Sequence, residues 1–154
     1  MRSRGFTLVE LLVVIGIITI LSTLATLGWN RMSTKAAVEG QIKSVHADLM
    51  ALRLEALYSK KERRVKLSGK SFKVYSSNVL TTSPLNSKDF TFDFTGTSDF
   101  VFNTSGMASG YEGSVCVNKE SDAFVDSLVV TDGRISLGKR TTGEACSSAK
   151  ITKR

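Results

Sequence analysis

Histidine occurs once in this 154-residue chain, proline once and cysteine twice. A structural zinc site needs four Cys or His ligands, and one histidine with two cysteines cannot supply them. No HExxH pair, no glycine-rich loop ahead of a helix and no serine-centred elbow is present, so hydrolytic, metal-dependent and phosphoryl-transfer chemistries lack their usual residues. No catalytic residue, metal or cofactor is expected, and the chain does not read as an enzyme. The lone His46 falls beside an apolar helical stripe and reads as a half-buried helix residue. Proline is absent from Phe6 to Tyr58, so nothing there enforces a break. Charge is missing from the same region: between Phe6 and Leu27 the single ionisable side chain is Glu10.

What is present is a long apolar run, FTLVELLVVIGIITILSTLATL, behind a short polar leader that carries Arg2 and Arg4. About 20 such residues cross the hydrocarbon core of a bilayer as a helix. A secretory signal peptide has a shorter apolar core followed by a small-residue cleavage site; here the run is too long and no such site follows it. The polar-to-apolar break lies ahead of the run, at Gly5-Phe6. A cut there leaves the hydrophobic helix as the mature N-terminus. The leader arginines place the N-terminus in the cytoplasm and the remainder outside. Trp29 and Arg31 follow the run directly and suit a membrane-interface anchor, although Trp29 could equally cap the domain. Gly16 permits close helix approach.

A carboxylate within hydrocarbon costs several kcal/mol and is a functional-site candidate by default. Cleavage after Gly5 creates a new α-amino group at Phe6, about one helical turn from Glu10. That amine can pair with a carboxylate of the same chain or of a neighbouring copy. The alternative places Glu10 at headgroup level, where it snorkels to water.

Gly5-Phe6-Thr7-Leu8-Val9-Glu10 followed by an apolar helix resembles the prepilin signature of type IV pilins and type II secretion pseudopilins. The resemblance implies cleavage between Gly5 and Phe6 and N-methylation of Phe6 by a prepilin peptidase. It also implies a helical filament in which Glu10 neutralises the Phe6 amine of an adjacent subunit. The implied partners are other pilin or pseudopilin subunits, the peptidase and the bacterial inner membrane, with the C-terminal domain in the periplasm. Relatives often carry a proline midway along the membrane segment; this chain has none.

Val38, Ile42, Val45, Leu49, Leu52 and Ala56 recur at spacings of four and three, one apolar stripe along a helix. Lys35, Glu39 and Lys43 lie four apart on another face, where opposite charges support it. One helix of about 50 residues follows: 6–28 in the membrane, 29–58 as an amphipathic continuation. From residue 60 the period falls to two. Val65 and Leu67, then Phe72 and Val74, alternate with polar residues around Ser68-Gly69 as a hairpin. Phe90, Phe92 and Phe94, Phe100 and Phe102, and Val115 and Val117 read as further strands, and Leu128–Val130 leads through Asp132-Gly133 to Ile135 and Leu137. The expected fold is therefore α+β and pilin-like, the helix packed on an antiparallel sheet of six or seven strands spanning 59–154. The phenylalanine ladder reads as core rather than a base-stacking platform. Cys116 and Cys146, in the extracytoplasmic part, favour a disulfide worth roughly 3 kcal/mol.

The latter half resembles the H-type minor pseudopilins and FimT-like minor pilins, in Phe100-Val-Phe-Asn-Thr-Ser-Gly106 and in Leu128-Val-Val-Thr-Asp-Gly-Arg134-Ile135. The resemblance implies a low-copy subunit that primes or caps a filament. It also implies a possible duplex-DNA partner, since FimT-like relatives carry a C-terminal Gly-Arg-x-Arg element. This chain has Gly133-Arg134-Ile135-Ser136, without the second arginine. The candidate nucleic-acid residues are Arg134, Lys139, Arg140, Lys150, Lys153 and Arg154; the bland reading is a solvated cationic end or a subunit contact. Cations are also concentrated between residues 58 and 75, and acids between 86 and 132. A pilus subunit, a secretion pseudopilus subunit and a single-pass anchor that never polymerises all fit these patterns.

Overall fold

A computed structural model of the chain describes residues 6–76, 83–108 and 110–154, with backbone alone for 24–27. The chain divides into two compact units, Met1–Thr34 and Lys35–Arg154. Helix α1 runs from Leu8 to Ser59, as the absence of proline and the unbroken periodicity require. In the first unit the apolar side chains from Leu8 to Leu21 are all exposed. This helix is long and apolar enough to cross a membrane.

In the second unit α1 buries the stripe read from its spacing: Val38, Ile42, Val45, Leu49 and Ala56 have no exposed surface, and Leu52 is almost as deep. Nine strands follow among the described residues: β1 (Arg63–Ser68), β2 (Ser71–Tyr75), β3 (Asn86–Asp89), β4 (Phe94–Gly96), β5 (Asp99–Phe102), β6 (Gly113–Val117), β7 (Ser127–Thr131), β8 (Arg134–Arg140) and β9 (Ile151–Lys153). They form two antiparallel sheets where the sequence pattern suggested one. The first has order β3-β2-β1-β5, the second β4-β6-β7-β8-β9. Val65, Leu67, Phe72, Val74, Phe100 and Phe102 from the first sheet meet Val115, Val117, Leu128, Val130 and Ile135 from the second in one core with the α1 stripe.

The β1–β2 and β7–β8 hairpins turn where Ser68-Gly69 and Asp132-Gly133 place them, with Ser68 opposite Ser71 and Thr131 opposite Arg134. The segment Phe90–Asp93 departs from expectation. It is not a strand but the crossover between sheets, since β3 ends at Asp89 and β4 begins at Phe94. The buried side chain of Gln41 replaces a strand partner there: its Nε2 donates to Phe92 O at 2.7 Å, and its Oε1 accepts from Phe92 N at 3.0 Å. The crossover can therefore lie against the helix with the Phe92 amide and carbonyl both paired. Phe90 and Phe94 meet edge to face at 5.3 Å, and Phe90, Phe92 and Phe94 all pack on the core. The ladder is core, as read, but by a different backbone route.

β3 had no sequence signal, because Asn86–Asp89 is polar and wholly exposed. It is an edge strand held by Lys88, whose Nζ reaches Asp48 at 2.8 Å and Ser44 at 2.7 Å on α1. After β5, the Asn103 carboxamide accepts from the amides of Ser105 and Met107, closing a turn in which Gly106 takes φ +70°. Gly106 lies against α1, where Arg53 Nε donates to its carbonyl at 2.8 Å. The Phe100–Gly106 motif is thus a strand and turn that fastens one end of the sheet to the helix.

Candidate functional site

Helix α1 starts with a local capping device. Thr7 caps it: its Oγ1 accepts from Glu10 N at 3.2 Å, and its carbonyl accepts from Leu11 N at 3.2 Å. Thr7-x-x-Glu10 has the spacing of a capping box, which places the Glu10 carboxylate in the first turn, where the helix dipole favours an anion. Glu10 therefore has a local structural reason to be an acid, in addition to any intermolecular one. Its side chain is exposed, and Phe6 is 79% exposed. Gly5 and the leader, residues 1–5, lie outside the described residues. Further along, the Thr19 hydroxyl donates to Ile15 O at 2.8 Å and the Thr23 hydroxyl to Thr19 O at 2.9 Å. These polar groups are satisfied within the helix, as an apolar surrounding demands.

The second candidate region is the C-terminal end of the five-stranded sheet. Cys116 and Cys146 are joined, and with Val129 and Ile151 they form a small cluster on the sheet face away from α1. Two glycines make room for it. A Cβ on Gly96, whose φ is +101°, would lie 2.2 Å from Ser114 O and 2.8 Å from Cys146 Sγ; one on Gly138 would lie 2.4 Å from Ile151 Cγ2. The chain after the disulfide thus returns to the sheet as β9, with Gly138 opposite Lys153 and Arg140 opposite Ile151.

Strand alternation then sorts the six C-terminal cations. Ile135 and Leu137 of β8 point into the main core, so Lys139 points the same way, and its Nζ pairs with the buried carboxylate of Asp126 at 2.9 Å and with Ser121 O at 2.9 Å. Lys150 pairs with Glu144 at 3.4 Å. The Arg154 guanidinium stacks over the Phe124 ring at 3.7 Å, while its backbone amide extends the ladder to Leu137 O. Lys139 and Arg154 are structural fastenings on the core-facing side, and Lys150 forms an exposed ion pair. Arg134, Arg140 and Lys153 alternate onto the opposite face of β8 and β9, where no ion pair engages them among the described residues.

Two further ionic contacts shape the surface. Glu39 Oε1 accepts from Phe124 N at 2.7 Å, fixing the β6–β7 loop to α1. That hydrogen bond, helped by Lys43 and Lys35, holds the carboxyl below its ordinary value of 4.5 against the opposing effect of burial. On the outer face of the first sheet, Arg64 Nε donates to both carboxylate oxygens of Asp99, at 2.8 and 3.1 Å. The contact holds the guanidinium more firmly protonated. Among the described residues no group of three or more His, Cys, Asp and Glu side chains converges as a metal site.

A long N-terminal helix on antiparallel sheets gives the chain an α+β pilin-like fold. Residues 1–26 match the prokaryotic N-terminal methylation motif. The fold is similar to that of the type IV minor pilin FimU of Pseudomonas aeruginosa, at 17% identity and a TM-score of 0.58, over 79% of this chain and 96% of that one. A second crystal form of FimU aligns at 18% identity and a TM-score of 0.51, over 74% of this chain and 96% of that one. A sequence search of curated proteins returns no match.

Proposed function

We propose that the chain is a minor subunit of a cell-envelope filament, which it helps to prime or cap. A prepilin peptidase cuts between Gly5 and Phe6 and methylates the Phe6 amine. The apolar part of α1 crosses the inner membrane once, N-terminus in the cytoplasm, and the unit from Lys35 to Arg154 lies in the periplasm. On entry into the filament Glu10 pairs with the Phe6 amine of an adjacent subunit, so that neither charge is left unpaired in an apolar setting. The observation that carries this reading is the methylation motif set directly on a helix whose apolar side chains are unshielded. The likeness to a minor pilin favours a type IV pilus over a type II secretion pseudopilus. In sheared filaments, Glu10→Ala is expected to abolish incorporation while mass spectrometry still finds a mature start at methylated Phe6. Undiminished incorporation, or an uncut N-terminus in the parent, overturns the proposal.

The placement of Arg134, Arg140 and Lys153 on one face of β8 and β9 favours a second reading, capture of duplex DNA through the C-terminal end. Lys139 and Arg154, already engaged, contribute by holding those strands in place. Replacing the three unengaged cations together by glutamine is expected to weaken DNA binding, and unaltered binding removes the edge from the account.

A further inference from the structure

The outer face of the four-stranded sheet carries an arrangement that folding alone does not favour. Val65, Leu67, Phe72 and Val74 point into the core, so Arg64, Lys66 and Lys73 stand on the opposite face. Register sets Lys66 directly opposite Lys73. Side chains at such positions have Cβ atoms about 5 Å apart, and like charges there destabilise the pair. Both lysines are half-buried, and among the described residues neither side chain has a hydrogen bond or ion pair. Asp99 is the cross-strand neighbour of Lys66 on its other side, but its carboxylate is turned to the Arg64 guanidinium. The next acid on this face, Asp89, stands opposite Ser71, toward the hairpin end. Lys73 has instead the exposed Ser87 as its β3 partner. The row across the sheet is therefore hydroxyl, ammonium, ammonium and an occupied carboxylate.

We infer that the facing Lys66 and Lys73 on the β1–β2 hairpin bind the phosphates of a nucleic-acid strand. An oxyanion seated between the two ammonium groups removes the repulsion and gains two charge-assisted hydrogen bonds, with Ser87 as a neutral donor beside it. A small anion would satisfy this pair alone. Exposed cations flank the pair along the hairpin, however, Lys61 before β1 and Lys70 in the turn, with the exposed Glu62 beside Lys61. At about 3.3 Å per residue that path covers roughly 25 to 30 Å, the length of about eight nucleotide steps at 3.4 Å per strand. A linear polyphosphate backbone fits such a distribution. This face belongs to the other sheet from the Arg134, Arg140 and Lys153 edge, and its assignment stands without that reading.

The test measures binding of a short duplex DNA to the full chain in zwitterionic detergent, by fluorescence anisotropy between about 50 and 200 mM salt. Each lost phosphate contact flattens the log–log salt slope by about 0.9. K66Q/K73Q is therefore expected to reduce the slope by about 1 and the affinity by at least about tenfold near 0.1 M salt. Its melting temperature without DNA is expected to hold or rise, because a repulsion has been removed. Lys73→Glu, which sets an acid opposite Lys66, should raise the melting temperature and still lose binding. A fall in melting temperature in both variants overturns the premise of unrelieved repulsion. Unchanged affinity in K66Q/K73Q, with loss confined to R134Q/R140Q/K153Q, overturns the hairpin site and leaves the edge reading intact; loss confined to K66Q/K73Q does the reverse. Equal displacement of DNA by poly-glutamate reassigns the face to an acidic protein. No binding by the parent at the lowest salt overturns both sites.

Discussion

Replacing Asp126 by alanine removes an acceptor that two groups of β8 share. The carboxylate is buried, accepts from Arg140 N at 2.8 Å through Oδ1, and pairs with Lys139 Nζ at 2.9 Å through Oδ2. The lost amide hydrogen bond costs about 1 kcal/mol net. Stranding a fully buried partner charge costs about 3 to 5 kcal/mol. The Lys139 side chain is 24% exposed and can swing its head toward water on an apolar stem, so about 2 kcal/mol is the fitting share. The sum, about 3 kcal/mol, corresponds to a drop of about 10 °C for a domain of this size. Asp126→Asn keeps an acceptor for the Arg140 amide and loses the charge, so it should fall between parent and Asp126→Ala. Adding Lys139→Met to Asp126→Ala removes the stranded ammonium and should recover part of the loss. Circular-dichroism melts of the full chain in detergent provide the cycle. A drop under about 3 °C for Asp126→Ala, or no recovery in the double variant, refutes the reasoning.

A methyl group at Gly138 would sit 2.4 Å from Ile151 Cγ2 and 2.9 Å from Thr152 O, so Gly138→Ala is expected to detach β9. The amides of the β8–β9 ladder should then exchange at least about tenfold faster while the α1 stripe keeps its protection; unchanged exchange at β9 contradicts the packing described. Glu39 has a folded-state pKa below its unfolded value because the ionised carboxylate accepts from Phe124 N. Its stabilising contribution is complete above about pH 4.5 and is lost as pH falls through the lowered folded value. Acid titration of the melting temperature should show part of this decline, and Glu39→Gln should flatten that part.

The helix, its buried stripe, the two hairpins and the methylation motif could be read from local sequence. Each rests on a period or a short motif that neighbouring residues specify by themselves: spacings of four and three from Val38 to Ala56, alternation across β1–β2 and β7–β8, and Gly5-Phe6 ahead of an apolar run. The division into two sheets could not, because it depends on Gln41, 51 positions from Phe92, supplying a strand partner's hydrogen bonds from a helix. Nor could β3, whose polar residues are held by Lys88 reaching back to α1. The C-terminal cations show the same limit. Sequence gives Arg134, Lys139, Arg140, Lys150, Lys153 and Arg154 as equivalent charges, whereas tertiary structure fastens Lys139 to Asp126, Lys150 to Glu144 and Arg154 to Phe124. Chain order fixes which charges exist, and only the pairing of distant strands decides which neutralise one another and which, like Lys66 and Lys73, meet face to face without a counterion.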